Sequence, residues 1–457
     1  MCKIKLNIAL LFNNWNNYLQ LNFRFKRYIG FNSVYLLFMK SILFILLIFI
    51  SSLIVLQAQT IHVNTSVQLQ NALNTAAAGQ TILLADGLYS KSGGFIIPAN
   101  INGTSTNPIT LRGSTQAIIT SNNLSSGYGL DMRGNMYWIL DGFTIYNSAK
   151  GIVLDSSHHN VIQNIRVNKV GDEGIHLRSY SSFNSIKNCF IDSTGQASAG
   201  YGEAIYIGSA VSNWPTYTKG NADTCNYNSV TNNSFGDHIS SENIDIKEGT
   251  KGGRIAYNTF NGTGLNNQNS ADSWIDIKGN NYTIECNTGS NTIADGFQTH
   301  ILVSGWGDTN TFSNNALTVN DSHYGILITT NSSKGIALNN IVCSNNSIEG
   351  TNSGLTNIAT QTCNNSCITT SIKNDFPNDK TLRIQLYPNP CTDLIQVEIA
   401  EKHVHKTYYI IDALGRIIQT GNIDFTVNII STISFPSGMY AFILSDESSD
   451  SIVFIKQ

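Results

Sequence analysis

Five short apolar segments carry most of the ionisable side chains capable of shared chemistry: GIHLR at 174, AIYIG at 204, NIDIK at 243, WIDIK at 274 and GFQTH at 296. Aligned on Ile175, Ile205, Ile244, Ile275 and Phe297, the residue two before reads Glu173, Glu203, Glu242, Ser273 and Asp295. The residue one after reads His176, Tyr206, Asp245, Asp276 and Gln298, and three after reads Arg178, Gly208, Lys247, Lys278 and His300. If the segments stack as neighbouring strands, their carboxylates lie ~5 Å apart, close enough to share one hard cation. Without a cation, stacked acids repel and raise one another's pKa. The pattern therefore predicts Ca²⁺ held by Glu203, Glu242 and Asp245. A positive site beside a row of Lys and Arg suits β-elimination of a uronic acid. The C6 carboxylate must be neutralised so that a base can take the C5 proton, and another group must assist the leaving oxygen. The same alternation of acids and bases would also make a solvated ion-pair ladder, worth ~0–1 kcal/mol per pair. Against that reading, the charges end at residue 300, and the later segments GILITT and GIALNN are neutral.

Chemistry shared between these segments requires a fold that stacks them in register. Segment starts at 151, 174, 204, 243, 274, 296 and 325 recur every 22 to 39 residues. An Asn followed two residues later by an apolar residue recurs as well, at Asn188–Phe190, Asn233–Phe235, Asn258–Phe260, Asn315–Leu317 and Asn346–Ile348; Asn287 keeps the spacing but meets Gly289. Repeats of this length with only short strands mean a solenoid. Runs of Ile, Val, Phe and Tyr bounded by Gly, Asn and Ser are strands, and no helical stripe long enough for crossover helices separates them. Asn stacks at a turn because its amide both donates and accepts. The fold class predicted is all-β, a right-handed parallel β-helix over 60–370, with the 39-residue interval carrying a projecting loop, GSAVSNWPTYTKGNADTCNY. A short amphipathic helix with Leu69, Ala72, Leu73 and Ala76 on one face supplies the N-terminal cap that an exposed solenoid end needs.

At 457 residues, with 12% charged residues and net charge −3, the chain has no basic stripe, and nucleic acid is not an expected partner. The eight cysteines show no paired CxxC spacing, which argues against a zinc ribbon and leaves disulfide pairing open. Met39–Lys40 followed by SILFILLIFISSLIVL and Ala58 reads as a signal peptide over 39–58, with 1–38 an upstream extension. The apolar run is short for a bilayer span, so no stable membrane segment is expected after processing.

Residues 371–381 read as a linker, and 382–457 as a small antiparallel β-sandwich. The sandwich resembles the C-terminal sorting domain of the type IX secretion system of Bacteroidota through YPNP at 387–390, Asp412, Gly415 and Arg416, then Gly438 and Tyr440. That resemblance implies export by the type IX machinery, to the medium or the cell surface. QLQNALNTAAAGQTILLADGLY with NPITLRG, and SENIDIKEGTKGGRIAYNTFNG, resemble the β-helix lyase family containing alginate lyases and chondroitinase B. The resemblance implies Lys247 as base and Glu242 as a calcium ligand; the family's acid is an Arg where this chain has Lys278. Lys278, Arg178 or His300 would then assist the leaving group, and His176, Tyr206, Asp276, Trp274 and Gln298 would contact substrate. The expected activity is that of a polysaccharide lyase, acting as a monomer on a uronate-containing glycan. A polygalacturonase-like hydrolase and a non-catalytic glycan-binding solenoid are the alternatives, with exposed Trp214, Trp274 and Trp306 available to stack on sugars in each case.

Overall fold

The computed structural model describes residues 60–320 and 322–367, and segments between 385 and 456. The expected signal peptide, the upstream extension and the linker lie outside the described residues.

Three stacks of short parallel strands wind along one axis. The first runs through Thr60–Val63, Thr81–Leu84, Ile109–Arg112, Trp138–Asp141 and on to Ile341–Val342, eleven strands in unbroken order. The second includes Arg166–Val170, Phe190–Asp192, Ser234–Phe235, Thr259–Asn261 and Thr288–Ser290. The third, which carries the aligned ionisable residues, runs through Thr144–Asp155, Ile175–Arg178, Ile205–Ile207, Ile244–Ile246, Ile275–Ile277, Phe297–Thr299 and Ile326–Leu327. Its register pairs Ile175 with Ile205, Ile205 with Ile244, Ile244 with Ile275 and Ile275 with Phe297. The columns expected from the sequence are therefore real columns. Each coil returns through two other sheets before reaching its neighbour, and such parallel crossovers are right-handed.

The register is held because a slip of one residue would turn every inward side chain out to solvent. Ile175, Ile205, Ile244, Ile275, Phe297 and Ile326 are all fully buried, each contributing roughly 1.5–3 kcal/mol. The expected helix is present at Ser66–Thr75 and buries Leu69, Ala72 and Leu73, with Ala76 as its C-cap residue and Thr65 as its N-cap.

The Asn turns form ladders. Asn233 receives its neighbour's oxygen at the backbone N–H from Asn258 (2.9 Å), Asn258 from Asn287, Asn287 from Asn315 and Asn315 from Asn346. Asn188 is not a rung, contrary to the spacing. The rung on that coil is Cys189, whose N–H donates to Asn233 Oδ1, and Asn188 takes the left-handed turn position before it. A second ladder, Asn160–Asn184–Asn228, was not anticipated. Gly289 follows Asn287 because a Cβ there would lie 2.6 Å from the Trp274 ring.

Two disulfides, Cys286–Cys367 and Cys343–Cys363, tie the segment that follows the last coils back onto them. Closing loops of 81 and 20 residues restricts the unfolded chain by about 3–4.5 kcal/mol each. The C-terminal unit has a three-stranded and a four-stranded antiparallel sheet around Ile395, Val397, Ile410, Phe442 and Phe454. Of its sequence signatures, Asp412 accepts from Arg416 Nε at 2.7 Å, and Pro388 to Pro390 lie outside the described residues.

Candidate active site

A cavity of ≈ 530 Å³ opens on the outer face of the third sheet, over the coils from 173 to 300. Two walls flank it. One is the projecting loop, which folds into a short helix at Trp214–Tyr217. Asp223 anchors that loop by accepting from Ser179 N, Tyr180 N and Ser209 Oγ, while buried Glu248 accepts from Val211 N (2.6 Å). The opposite wall joins the turn around Gly200 to the loop around Asn269, whose Nδ2 donates to Gly200 O at 2.8 Å.

On the floor, strand stacking brings together Glu173, His176, Glu203, Tyr206, Glu242, Asp245, Lys247, Asp276, Lys278 and His300. An alternating ion network runs through it. Lys247 Nζ pairs with Asp245 Oδ2, Lys278 Nζ bridges Asp245 Oδ1 (2.7 Å) and Asp276 Oδ2 (2.9 Å), and His300 Nε2 lies 3.1 Å from Asp276 Oδ1. These are buried ions, with Lys278 6% and Asp245 2% exposed, so they interact strongly. Burial alone would lower both lysines, but Asp245 beside them outweighs it and holds each above the usual lysine range. Burial would likewise raise Asp276, yet Lys278 and His300 hold its carboxyl well below the usual carboxylate range. Both lysines are therefore ammonium groups at neutral pH.

Tyr206 stands over this network with its ring 4.8 Å from Lys247 Nζ and edge-on to His176, with centroids 4.5 Å apart. Burial, then the charge of Asp245, pushes its phenol well above the usual value. His176 is within 3.0 Å of Gly208 O through Nε2 and faces Glu173 through Nδ1 at 3.3 Å; burial lowers its pKa. Burial would raise Glu173 too, but His176 and Lys150 outweigh it and hold its carboxyl at about 2.

Glu203 and Glu242 differ from the other acids. Glu203 Oε2 is buried without a hydrogen-bond partner, and the Glu242 carboxyl has none among the described residues. Burial and the neighbouring acids Glu173 and Asp245 push Glu203 up to about 8; burial, then Asp276, raises Glu242 well above the usual range.

The acids expected to hold calcium do converge, since Glu203, Glu242 and Asp245 offer oxygens within 4.8 Å of one another. The donor set nonetheless fits calcium poorly. Both Asp245 oxygens are already held by ammonium groups. Unit charges 4 Å apart interact by about 4 kcal/mol at an effective dielectric near 20, and twice that when one is divalent, so an ion here would be repelled by both lysines.

Three residues expected in the site are placed elsewhere. Trp274 is fully buried in the solenoid core against Phe260 and Phe297, its indole N–H donating to Ser290 O, because Gly289 and Gly296 leave room for the ring. Gln298 braces Asp272 (2.9 Å) and Asp295 (3.4 Å) outside the cavity lining. Arg178 is held bidentately by Asp155 (2.7 and 3.0 Å) and stacks 4.5 Å from the Tyr217 ring, so it secures the loop wall and does not line the cavity. Lys150, by contrast, lines the cavity and pairs with Glu173 and Asp172. It was legible in principle, since it lies two before Ile152 in the column that holds Glu173 on the next coil.

Residues 55–211 match the family described as the Pel9A-like right-handed β-helix region, and residues 385–456 match the secretion system C-terminal sorting domain. The chain therefore carries a sorting domain for secretion or surface attachment. The alginate lyase of Paenibacillus sp. str. FPU-7 is 33% identical, covering 66% of this chain and 97% of that one, with a TM-score of 0.56. Pectate lyase L of Thermoclostridium stercorarium is 26% identical over 133 residues, and the chain spans only 11% of that curated relative's length. A polysaccharide lyase of Pseudopedobacter saltans is 16% identical, covering 67% of this chain and 88% of that one, with a TM-score of 0.41.

Proposed function

Because the chain belongs to the right-handed parallel β-helix polysaccharide lyase family that includes the Paenibacillus enzyme, we propose that it is an exported lyase that cleaves a uronate-containing polysaccharide by β-elimination. Alginate is the first substrate to test, since that relative is an alginate lyase. The observation that carries the proposal is the buried Tyr206–Lys247 pair beside Lys278, in one cavity over the stacked coils.

Elimination needs a base for the C5 proton, positive character around the carboxylate and a proton for the departing O4. In the resting site Lys247 is an ammonium and Tyr206 a phenol, so neither is yet a base. Loss of one proton from the pair makes it one. The proton hole is shared between tyrosinate–ammonium and phenol–amine forms, and its apparent pKa belongs to the pair. This refines the expectation that Lys247 acts alone. The pair takes the C5 proton, the C5–H electrons form the C4=C5 bond, and the C4–O4 bond breaks. O4 leaves with a proton returned from the pair, which ends as it began. Lys278, fixed between two carboxylates, supplies positive potential from below.

The test is to treat alginate, pectate and glycosaminoglycans with the secreted chain and follow the ultraviolet absorbance of the conjugated unsaturated end. The proposal predicts that at least one polymer yields it and that Lys247→Ala does not. New reducing ends without that absorbance would favour a hydrolase, and binding with unchanged polymer length a non-catalytic solenoid.

A further inference from the structure

The three lysines of the cavity, Lys150, Lys247 and Lys278, already face four carboxylates, Asp172, Glu173, Asp245 and Asp276, before Glu203 and Glu242 are counted. Lys247 and Lys278 are matched by Asp245 and Asp276, while Lys150 and His176 face Glu173 and His300 faces Asp276. Two more buried carboxylates would stand as uncompensated anions, which costs several kcal/mol each. Glu203 is 5% and Glu242 3% exposed, both line the cavity, and Glu203 Oε2 has no partner. A divalent ion would offset them only by lying against two ammonium groups that already hold Asp245. A proton on each acid removes both charges with no such conflict.

We infer that Glu203 and Glu242 stand in the cavity as neutral carboxylic acids whose O–H groups receive the uronate carboxylate of the substrate, the task otherwise given to a metal ion. This rests on reading the cavity as a site of β-elimination. O–H···O⁻ bonds to a carboxylate are short, 2.5–2.7 Å, and about twice as strong as neutral ones. As the C5 proton departs, charge accumulates on the carboxylate oxygens and those two bonds strengthen. They therefore favour the transition state over the bound substrate. The groups facing the two acids are Glu173 and His176 from the preceding coil, Tyr206 between them, Asp245 and Lys247, then Asp276, Lys278 and His300. Burial and the acids among these push Glu203 up to about 8, so a mildly alkaline medium removes its proton and with it the carboxylate receptor.

The test compares Glu203→Ala and Glu203→Gln in the full chain, with calcium and with chelator. The inference predicts that Glu203→Ala lowers kcat/KM at least ~10-fold, through kcat as well as KM, and that the amide of Glu203→Gln, a neutral donor, recovers most of that loss. Wild-type KM should climb as pH passes about 8, whereas the Gln variant should show no such rise. Calcium should leave the melting curve of every form unmoved, and the infrared band of protonated carboxyls should weaken in Glu203→Gln, where Glu242 alone of the two acids remains. A melting shift with calcium in the wild type that disappears in Glu203→Gln, together with no recovery of kcat/KM by the amide, would overturn it. If no uronate polymer yields unsaturated ends, the lyase reading fails separately. The infrared band and calcium melting curves still decide the charge state of the two acids.

Discussion

At one corner of the solenoid Asn233, Asn258, Asn287, Asn315 and Asn346 repeat one side chain coil after coil; on the outer face of the third sheet Glu173, Glu203 and Glu242 do the same. The stacking distance is shared, but the chemistry is opposite. An amide donates to one neighbour and accepts from the other, so every rung satisfies the next and the ladder has no preferred length. A carboxylate only accepts, so stacked acids need something interposed. Glu173 obtains it from Lys150 and His176, and Asp245 and Asp276 from Lys247 and Lys278, while neither Glu203 nor Glu242 is in an ion pair among the described residues and Glu203 Oε2 has no hydrogen-bond partner. The Asn corner is complete as built. The acidic column is incomplete at two adjacent coils, and that is where the cavity lies.

The largest effect should come from the pair above the incomplete rungs. Tyr206→Phe or Lys247→Met should lower turnover by about 10²–10⁴-fold, measured under saturating polymer, with little change in melting for the Tyr variant. Breaking the compensated part of the column should instead cost stability. Lys278→Met leaves Asp276 and one Asp245 oxygen short of a cation, and chemical denaturation should show a loss of about 3–5 kcal/mol. Breaking the amide ladder should be milder and catalytically silent. Asn258→Ala strips the Asn233 N–H and side chain of their acceptor and should cost ~1–3 kcal/mol with turnover retained.

The column also differs from the Asn ladder in its response to pH. The Glu173 pKa is lowered from 4.5 to about 2 on folding, so its contribution is present above 4.5 and is lost as pH falls towards 2. The Glu203 pKa is raised from 4.5 to about 8, so its contribution is full below 4.5 and is lost as pH rises through 8. Denaturation midpoints across that range should decline in the wild type relative to Glu203→Gln.

The fold was legible because its periodicity is physical. Inward Ile residues at intervals of 22 to 39 have no other way to be buried together, and their register carried Glu203, Tyr206, Asp245, Lys247 and Lys278 to one face. The sequence could not reveal which charges neutralise one another. Alignment set Arg178 beside Lys247 and Lys278 in one column, but Asp155 and Tyr217, both outside the aligned residues, hold it out of the cavity. Trp274 misled for a related reason, since its burial depends on Gly289 and Gly296, which leave space rather than offer a contact. Asn188 and Cys189 show the same limit on a smaller scale, because spacing alone does not tell a rung from the left-handed turn beside it.

The most direct measurement of the central claim is proton magnetic resonance of an alginate digest, comparing the wild-type chain with Tyr206→Phe. An olefinic C4 proton on new non-reducing ends, growing as polymer viscosity falls and nearly absent with the variant, is the predicted result. Depolymerisation without that signal, or an equal signal from the variant, would contradict the account.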